Sequence, residues 1–166
     1  MVGVPDPKPG RVIRYQYLWR RRARRGHETA DKDRPACILI ALRKEEGDTR
    51  VLIVPITHSP PARGELAYEM PPRLKAHLRL DEERSWIILS EANIDIWPSP
   101  DLCRIPGRSD AMDYGLLPQK LVNHLRQVIV AAVLENRLEA TDREAADPMS
   151  KAKLSPFASD HGTKAP

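Results

Sequence analysis

The sequence has little cysteine and no recognisable pattern of metal ligands. Cys37 and Cys103 are its two cysteines, and each lies in or beside an apolar segment, outside any Cys-x-x-Cys pair. We therefore expect buried free thiols rather than a disulfide or a thiolate metal site. The five histidines show no His-Glu-x-x-His spacing, so the sequence predicts neither a metal nor another cofactor.

Long apolar runs are also absent. No stretch approaches the roughly 20 apolar residues that a membrane-spanning helix needs. The first ten residues contain proline and glycine rather than a basic patch followed by an apolar run. We therefore expect a cytoplasmic protein that does not bind a membrane.

Apart from its proline content, the composition is ordinary for a globular protein. The 166 residues are 41% apolar and 30% charged, which predicts one domain around a single core. The 16 prolines divide the chain into short segments, and short segments favour β architecture over long helices. We divide the chain into an irregular lead-in (1–10), a folded domain (11–138) and a disordered tail (139–166), where Ala, Asp, Ser, Lys and Pro predominate.

Two apolar runs predict a buried antiparallel hairpin. Residues 36–42 read Ala-Cys-Ile-Leu-Ile-Ala-Leu and residues 51–56 read Val-Leu-Ile-Val-Pro-Ile, with a Gly-Asp turn at Gly47 between them. In such a hairpin the start of the first strand lies opposite the end of the second. Arg34 and Thr57 are therefore expected at the same edge.

The remaining segments predict a small, mainly β domain. Pro71 and Pro72 predict a short helical turn. After Pro118, apolar residues at spacings of three and four predict an amphipathic C-terminal helix, with Leu121, Leu125, Val128 and Ala132 on its apolar face. Further strands are predicted at residues 11–19, 85–90, 93–97 and 102–105. Together these elements predict a partly open barrel capped by the helix.

A basic run and an aromatic triplet stand close together near the N-terminus. The run comprises Arg20, Arg21, Arg22, Arg24 and Arg25. In a long loop, which we place at residues 20–33, it predicts either an exposed arm that attracts phosphate or a solvated loop that only maintains solubility. Tyr15, Tyr17 and Trp19 alternate just before the run. They predict either a platform on which bases stack or one face of a strand.

Two segments resemble motifs of the MazF/PemK family of toxin ribonucleases. That family carries a Gly-x-Arg-Pro-Ala-Val-Val motif entering one strand and a Pro-Ile-Thr-Ser or similar motif leaving the next. Here the first reads Asp33-Arg34-Pro35-Ala36-Cys37-Ile38-Leu39 and the second reads Pro55-Ile56-Thr57-His58-Ser59. The resemblance covers residues 9–136, and it implies a small SH3-like barrel with a C-terminal capping helix.

The resemblance also implies a function. Members of the family are toxins of bacterial type II toxin-antitoxin pairs, and they cleave single-stranded RNA without metal by driving the ribose 2′-hydroxyl onto the adjacent phosphate. The implied partners are single-stranded RNA, a cognate antitoxin protein and a second copy of the chain. Trp86 or Trp97 is expected at the homodimer interface.

The same chemistry suggests roles for four residues. It needs positive charge on the phosphorane, a group that takes the hydroxyl proton and a donor for the leaving oxygen. By resemblance, Arg34 binds phosphate through its planar fork and Thr57 offers its hydroxyl. His58 departs from the family pattern, and we expect it to act either as a general base or as a cap of the turn. Asp95 predicts a base or a partner for Arg34, with a solvated strand carboxylate as the alternative.

Other interpretations remain open from the residues alone. Considered alone, Arg34 is consistent with an arginine in a surface ion pair. Thr57 alone is consistent with a threonine that makes a hydrogen bond at the end of its strand. Relatives often carry Arg-Thr-Ile-Asp where this chain has Ala92-Asn93-Ile94-Asp95, so one phosphate-binding arginine is missing. The candidate RNA-binding residues that could replace it are Arg20, Arg21, Arg22, Arg24, Arg25 and Lys32. The alternative function is binding of RNA, DNA or a protein by a barrel that has lost catalysis. A third interpretation is an unrelated barrel protein in which the motifs are a coincidence.

Overall fold

The structure, a computed structural model, describes residues 3–27, 30, 32–108 and 110–144. From position 145 onward the predicted tail therefore lies outside the described residues. The strands are β1 Arg11–Tyr15, β2 Arg34–Arg43, β3 Thr49–Thr57, β4 Ala67–Glu69, β5 Trp86–Ile88, β6 Glu91–Trp97, β7 Leu102–Cys103, β8 Asp113–Leu116 and β9 Glu139–Asp142. The helices are α1 Arg20–Ala23, α2 Pro72–His77 and α3 Gln119–Leu134. The described chain is thus mainly β, as predicted.

One sheet connects the nine described strands. Its main path runs β4-β5-β3-β2-β1-β7, while β6 pairs with β3 and β9, and β8 pairs with β1. The pairs are antiparallel except β6 and β9, which are parallel. Within the described residues this sheet is not closed into a barrel. The sequence prediction is therefore confirmed for the β class and not for the barrel.

The predicted hairpin is confirmed as β2 and β3. Ala36 pairs with Pro55, and extending this register by two residues places Arg34 opposite Thr57. The register shifts once, between Ile38 and Ile40, and such a bulge increases the local twist of the strands. The edge predicted from antiparallel geometry is therefore present.

Hydrophobic clusters cover both faces of this hairpin, which is why its sequence reads as continuous apolar runs. Leu39 and Leu52 belong to one cluster, whereas Ile38 and Ile53 belong to the other. Helix α3 begins after Pro118 as predicted, and it contributes Val122, Leu125, Ile129 and Ala132 to the first cluster. This helix has 16 residues. In the described ranges no helix has both the length and the apolarity that crossing a membrane requires.

Strand β9 lies in the segment that composition assigned to the tail. It pairs with β6, and the next residue, Arg143, has a side chain only 4% exposed. The Arg143 guanidinium donates to the Gln16 carbonyl at 2.6 Å and to Asn93 Oδ1 at 3.2 Å, and it pairs with Asp101 at 2.9 Å. The folded part of the chain therefore continues to Arg143, beyond the predicted boundary at 138.

The two cysteines are free thiols, as expected, but they differ in burial. Cys37 is fully buried, and burial raises the pKa of its thiol well above the ordinary value. Cys103 is only half-buried, because β7 lies at one end of the main path of the sheet. The prediction of burial therefore holds fully for Cys37 alone.

The tryptophans proposed for a homodimer interface have contacts within their own chain. Trp86 is buried, with the Arg84 guanidinium 4.9 Å from its ring centroid. Trp97 is half-buried, and its indole N–H donates to the Pro5 carbonyl at 3.0 Å. Both rings thus contribute to the fold of a single chain.

Candidate functional site

The edge formed by Arg34 and Thr57 borders a cavity of about 840 Å³. The start of β2 and the end of β3 supply these two residues, and His58 follows on the same wall. Arg21 and Lys32, from the predicted RNA-binding set, also line the cavity. The structure therefore brings several of the predicted site residues to one cavity, whose volume is typical of a ligand site.

The cavity wall carries more positive than negative side chains. Its cationic residues are Arg14, Arg21, Lys32, Arg34, Arg79 and Arg108, and its carboxylates are Asp33, Glu65, Asp81 and Glu91. Six cations against four carboxylates give a formal excess of two positive charges, with the histidine counted as neutral. One pair, Arg14 and Asp33, is joined at 2.5 Å. The remaining excess favours an anionic ligand.

Arg34 is held against an aromatic ring. Its guanidinium carbon lies 5.0 Å from the centroid of Trp19, and Arg21 approaches the same ring at 6.0 Å. Tyr17 packs edge-on against Trp19, with ring centroids 5.2 Å apart. Contact with the face of the indole positions the guanidinium through cation–π attraction. Because Tyr15 and Tyr17 are fully buried, Trp19 is the member of the predicted stacking platform that reaches the cavity.

Thr57 ends β3 and is 9% exposed. Its Oγ1 accepts a hydrogen bond from the Ser59 backbone N–H at 3.1 Å, which is the strand-end bond that the sequence suggested as an alternative to binding. A hydroxyl that accepts one hydrogen bond can still donate its own hydrogen. Thr57 can therefore hold the turn and donate to a ligand oxygen at the same time.

His58 lies at the rim of the cavity between two carboxylates. Its Nε2 is 2.8 Å from Asp81 and its Nδ1 is 3.2 Å from Glu83. Lys75 also binds Asp81, at 2.7 Å. Burial raises the pKa of Asp81, but the Lys75 hydrogen bond and the His58 charge outweigh it and lower that pKa below its usual value. His58 is thus part of an ion-pair network rather than a simple turn cap.

The same three side chains are the candidates for holding a metal. Ligand atoms of His58, Asp81 and Glu83 lie within 4.8 Å of one another, and all three residues are exposed. The two imidazole nitrogens face different carboxylates, however. An imidazole binds a metal through one nitrogen, so the arrangement matches an ion pair better than a coordination site.

Asp95 lies elsewhere in the fold. It is 2% exposed, and it accepts hydrogen bonds from the Tyr15 hydroxyl at 2.8 Å and the Ser99 hydroxyl at 2.6 Å. It pairs across the sheet with Val51, six residues before Thr57 and so roughly 20 Å away along the strand. The structure therefore does not place Asp95 beside the arginine at the start of β2. Asp95 is not a solvated carboxylate either, because hydrophobic clusters cover both faces of the sheet.

The position at which MazF/PemK proteins often carry an arginine is also buried in this chain. Asn93 is fully buried, and its side-chain amide accepts from the Leu18 backbone N–H at 2.9 Å and donates to the Leu18 carbonyl at 2.8 Å. Arg143 brings a positive charge beside Asn93, but it is not among the residues of the cavity wall. This part of β6 therefore has a structural role.

The basic run is partly a docked helix rather than an exposed arm. Its first residues form α1, and Glu139 of β9 pairs with Arg20 at 2.6 Å and with Arg24 at 3.1 Å. Positions 28, 29 and 31 of the predicted loop lie outside the described residues. Of the predicted RNA-binding set, Arg21 and Lys32 line the cavity, whereas Arg20, Arg22, Arg24 and Arg25 do not.

Glu91, the first residue of β6, was missed by sequence reasoning. It lines the cavity, and its Oε1 accepts hydrogen bonds from the Tyr17 hydroxyl at 3.0 Å and the Arg20 backbone N–H at 3.1 Å. Burial raises the pKa of Glu91 and outweighs these two bonds, which lower it, while the charges of Glu65 and Glu139 raise it further. The alternation of β6 extends back to this position and places Glu91 on the same face of the strand as Asn93 and Asp95, but only the tertiary structure brings it to the cavity.

Fold and cavity together define a mainly β protein with a cationic cavity, bordered by an aromatic ring, at one edge of its sheet. Comparison of the chain with protein-family models, with curated proteins and with solved structures finds no match. Only the motifs around Arg34 and Thr57 therefore point to a family.

Proposed function

We propose that this protein is the toxin of a bacterial type II toxin-antitoxin pair, a metal-independent endoribonuclease that cleaves single-stranded RNA. The main support for the proposal is that Arg34 and Thr57 both line one cavity, whose wall has an excess of positive charge. Trp19, beside Arg34, offers a ring on which a base can stack. As a divergent MazF/PemK-like protein with an open, SH3-like sheet, it would act in the cytoplasm as a homodimer and bind a cognate antitoxin.

The proposed reaction is attack of a ribose 2′-hydroxyl on the adjacent phosphorus. The 2′-oxygen loses its proton and bonds to phosphorus, the bond from phosphorus to the 5′-oxygen breaks, and the 5′-oxygen takes up a proton. Arg34 binds two phosphate oxygens through its fork as negative charge builds on the phosphorane. Thr57 donates its hydroxyl hydrogen to a phosphate oxygen, and His58 is positioned on the same wall to transfer a proton.

The direct test is incubation of the purified full chain with labelled single-stranded RNA in the presence of EDTA. Products that end in a 2′,3′-cyclic phosphate and a 5′-hydroxyl are expected. A 2′-deoxy substitution at the cut site should prevent cleavage, because it removes the nucleophile. RNA that stays intact over a long incubation with excess protein would contradict the proposed catalysis.

RNA binding without catalysis is the second candidate function. Asn93 favours it, because the position that carries an arginine in relatives is buried and uncharged here. Such a module would bind RNA or DNA with an affinity that falls steeply with salt, since phosphate contacts release counterions. Salt-dependent binding that leaves RNA intact would establish this alternative. Growth arrest that depends on Arg34, in cells producing the protein, would instead favour the toxin.

Trp19→Ala is expected to weaken the binding of single-stranded RNA by about 5- to 150-fold, because stacking on an aromatic ring is worth about 1–3 kcal/mol per base. Trp19→Phe keeps an aromatic face and is expected to lose much less affinity. Fluorescence anisotropy of a labelled oligoribonucleotide at fixed salt measures both variants. Wild-type affinity in the alanine variant would show that no base stacks on this ring.

A further inference from the structure

We infer that Glu91 is the general base of the proposed reaction, the group that takes the proton from the attacking 2′-hydroxyl. This inference rests on the proposed ribonuclease function and adds to it a residue that the motifs do not contain. Glu91 lies on the cavity wall together with Arg34, Thr57 and His58. The register of β6 on β3, in which Asn93 pairs with Ile53, brings it toward the end of β3 that carries Thr57.

Among the carboxylates of the cavity wall, Glu91 is the one that, within the described residues, is held in no ion pair and also keeps one oxygen without a hydrogen bond. Asp33 and Asp81 are held in ion pairs, and both oxygens of Glu65 accept hydrogen bonds, at 2.8 and 3.1 Å. In the described part of the chain both hydrogen bonds to Glu91 end on Oε1. Its Oε2 can therefore accept the hydrogen of a ribose hydroxyl.

The surroundings of Glu91 suit proton transfer. Burial raises its pKa, and the nearby carboxylates Glu65 and Glu139 raise it further, while the Arg20 N–H and the Tyr17 hydroxyl lower it. A carboxylate whose pKa lies above the ordinary value is a stronger proton acceptor, which is how buried glutamates serve as bases near neutral pH. Because the two donors converge on Oε1, they also fix the direction in which the carboxylate points.

The proton balance then requires a separate donor, and His58 supplies it. The Glu91 carboxylate takes the 2′-hydroxyl proton as the 2′-oxygen bonds to phosphorus. The bond between phosphorus and the 5′-oxygen breaks with its electron pair on oxygen, and that oxygen takes a proton from the His58 imidazolium, which Asp81 and Glu83 flank. The products are a 2′,3′-cyclic phosphate and a 5′-hydroxyl, with Glu91 protonated and His58 neutral until they exchange protons with water.

Glu91→Gln is the discriminating variant. Its amide oxygen still accepts the hydrogen bonds from Tyr17 and Arg20, so the structural contacts persist, but the group cannot take up a proton. We expect kcat to fall by about 10²-fold or more, RNA affinity to stay near the wild-type value, and the rise of kcat with pH to disappear. The control is Glu46→Gln, at the exposed β2–β3 turn, which should retain the wild-type rate and pH profile.

Two further variants test the assignment even if the glutamine variant folds poorly. Tyr17→Phe removes a hydrogen bond that favours the Glu91 carboxylate, so the rising limb of the pH profile should move to higher pH. Glu65→Gln removes a neighbouring negative charge, so the limb should move to lower pH. Both shifts are measured from kcat between about pH 4 and about pH 9, a range that contains the reference pKa values of glutamate and histidine.

The outcomes separate the two proposals. A wild-type chain that cleaves RNA, together with a folded Glu91→Gln variant of equal kcat and unchanged pH profile, overturns the role of Glu91 and leaves the ribonuclease proposal in place. If the rising limb of the pH profile stays in place in both Tyr17→Phe and Glu65→Gln, the role of Glu91 as the base is overturned as well. A wild-type chain that cleaves no RNA overturns both proposals.

Discussion

Replacing Arg34 with alanine is expected to lower RNA cleavage by at least about 10³-fold. Single donors to a developing oxyanion contribute about 10²–10³-fold, and arginines that act on a transferring phosphoryl group contribute about 10³–10⁵-fold. Arg34 combines both functions, because its fork holds the phosphate and its charge opposes the charge of the phosphorane. Single-turnover cleavage of labelled RNA in EDTA measures the loss directly.

Two variants make the Arg34 experiment specific. Arg34→Lys keeps the charge but loses the two-pronged hydrogen bonding, so it is expected to fall between wild type and alanine. Arg43→Ala removes an exposed arginine from the opposite end of β2, so it should cleave at the wild-type rate. If the alanine variant at position 34 folds and cleaves as fast as wild type, Arg34 is not part of the site.

Arg143→Met is expected to destabilise the fold by about 3–5 kcal/mol, the usual cost of removing one member of a buried ion pair. The arginine side chain is 4% exposed and its partner Asp101 is 23% exposed. Methionine fills much of the space but leaves the Asp101 carboxylate and the Gln16 carbonyl without their donor. Unfolding in urea, followed by circular dichroism, should show a lower midpoint with an unchanged slope.

A surface arginine provides the matched control for this measurement. Arg104 pairs with Asp110 at 3.2 Å, and the two side chains are 68% and 48% exposed. Exposed pairs contribute about 0–1 kcal/mol, so Arg104→Met should unfold almost like the wild type. Equal midpoints for the two methionine variants would show that the Arg143 network does not stabilise the sheet.

The sequence was most informative where local pattern and simple geometry agreed. The runs at 36–42 and 51–56 are continuous because both faces of the hairpin are covered, and the turn at Gly47 lies between them. Antiparallel pairing then places Arg34 opposite Thr57 without knowledge of the rest of the fold. The helix after Pro118 was predictable for a similar reason, since its apolar spacing is a local property.

The parts that could not be predicted depend on partners distant in sequence. Strand β9 reads Glu-Ala-Thr-Asp and has no apolar pattern of its own, so pairing with β6 alone reveals it. Asp95 was predicted to be a base or a partner for Arg34, with a solvated carboxylate as the alternative, yet it is buried and accepts a hydrogen bond from the Tyr15 hydroxyl. Glu91 became a site candidate only when Tyr17 and the cavity appeared beside it. In each case tertiary context decided what alternation alone could not.

Arg143 and β9 also determine when this protein can finish folding during its own synthesis. The hydrogen bond from Arg143 to Gln16 joins residues 127 positions apart, and contacts of such long sequence separation form late and slowly. Arg34 and Thr57 leave the ribosome early, but the sheet that holds them is completed only after β9 and Arg143 have emerged. For a protein proposed to cleave RNA, we expect this order to spare the message from which the chain is being translated.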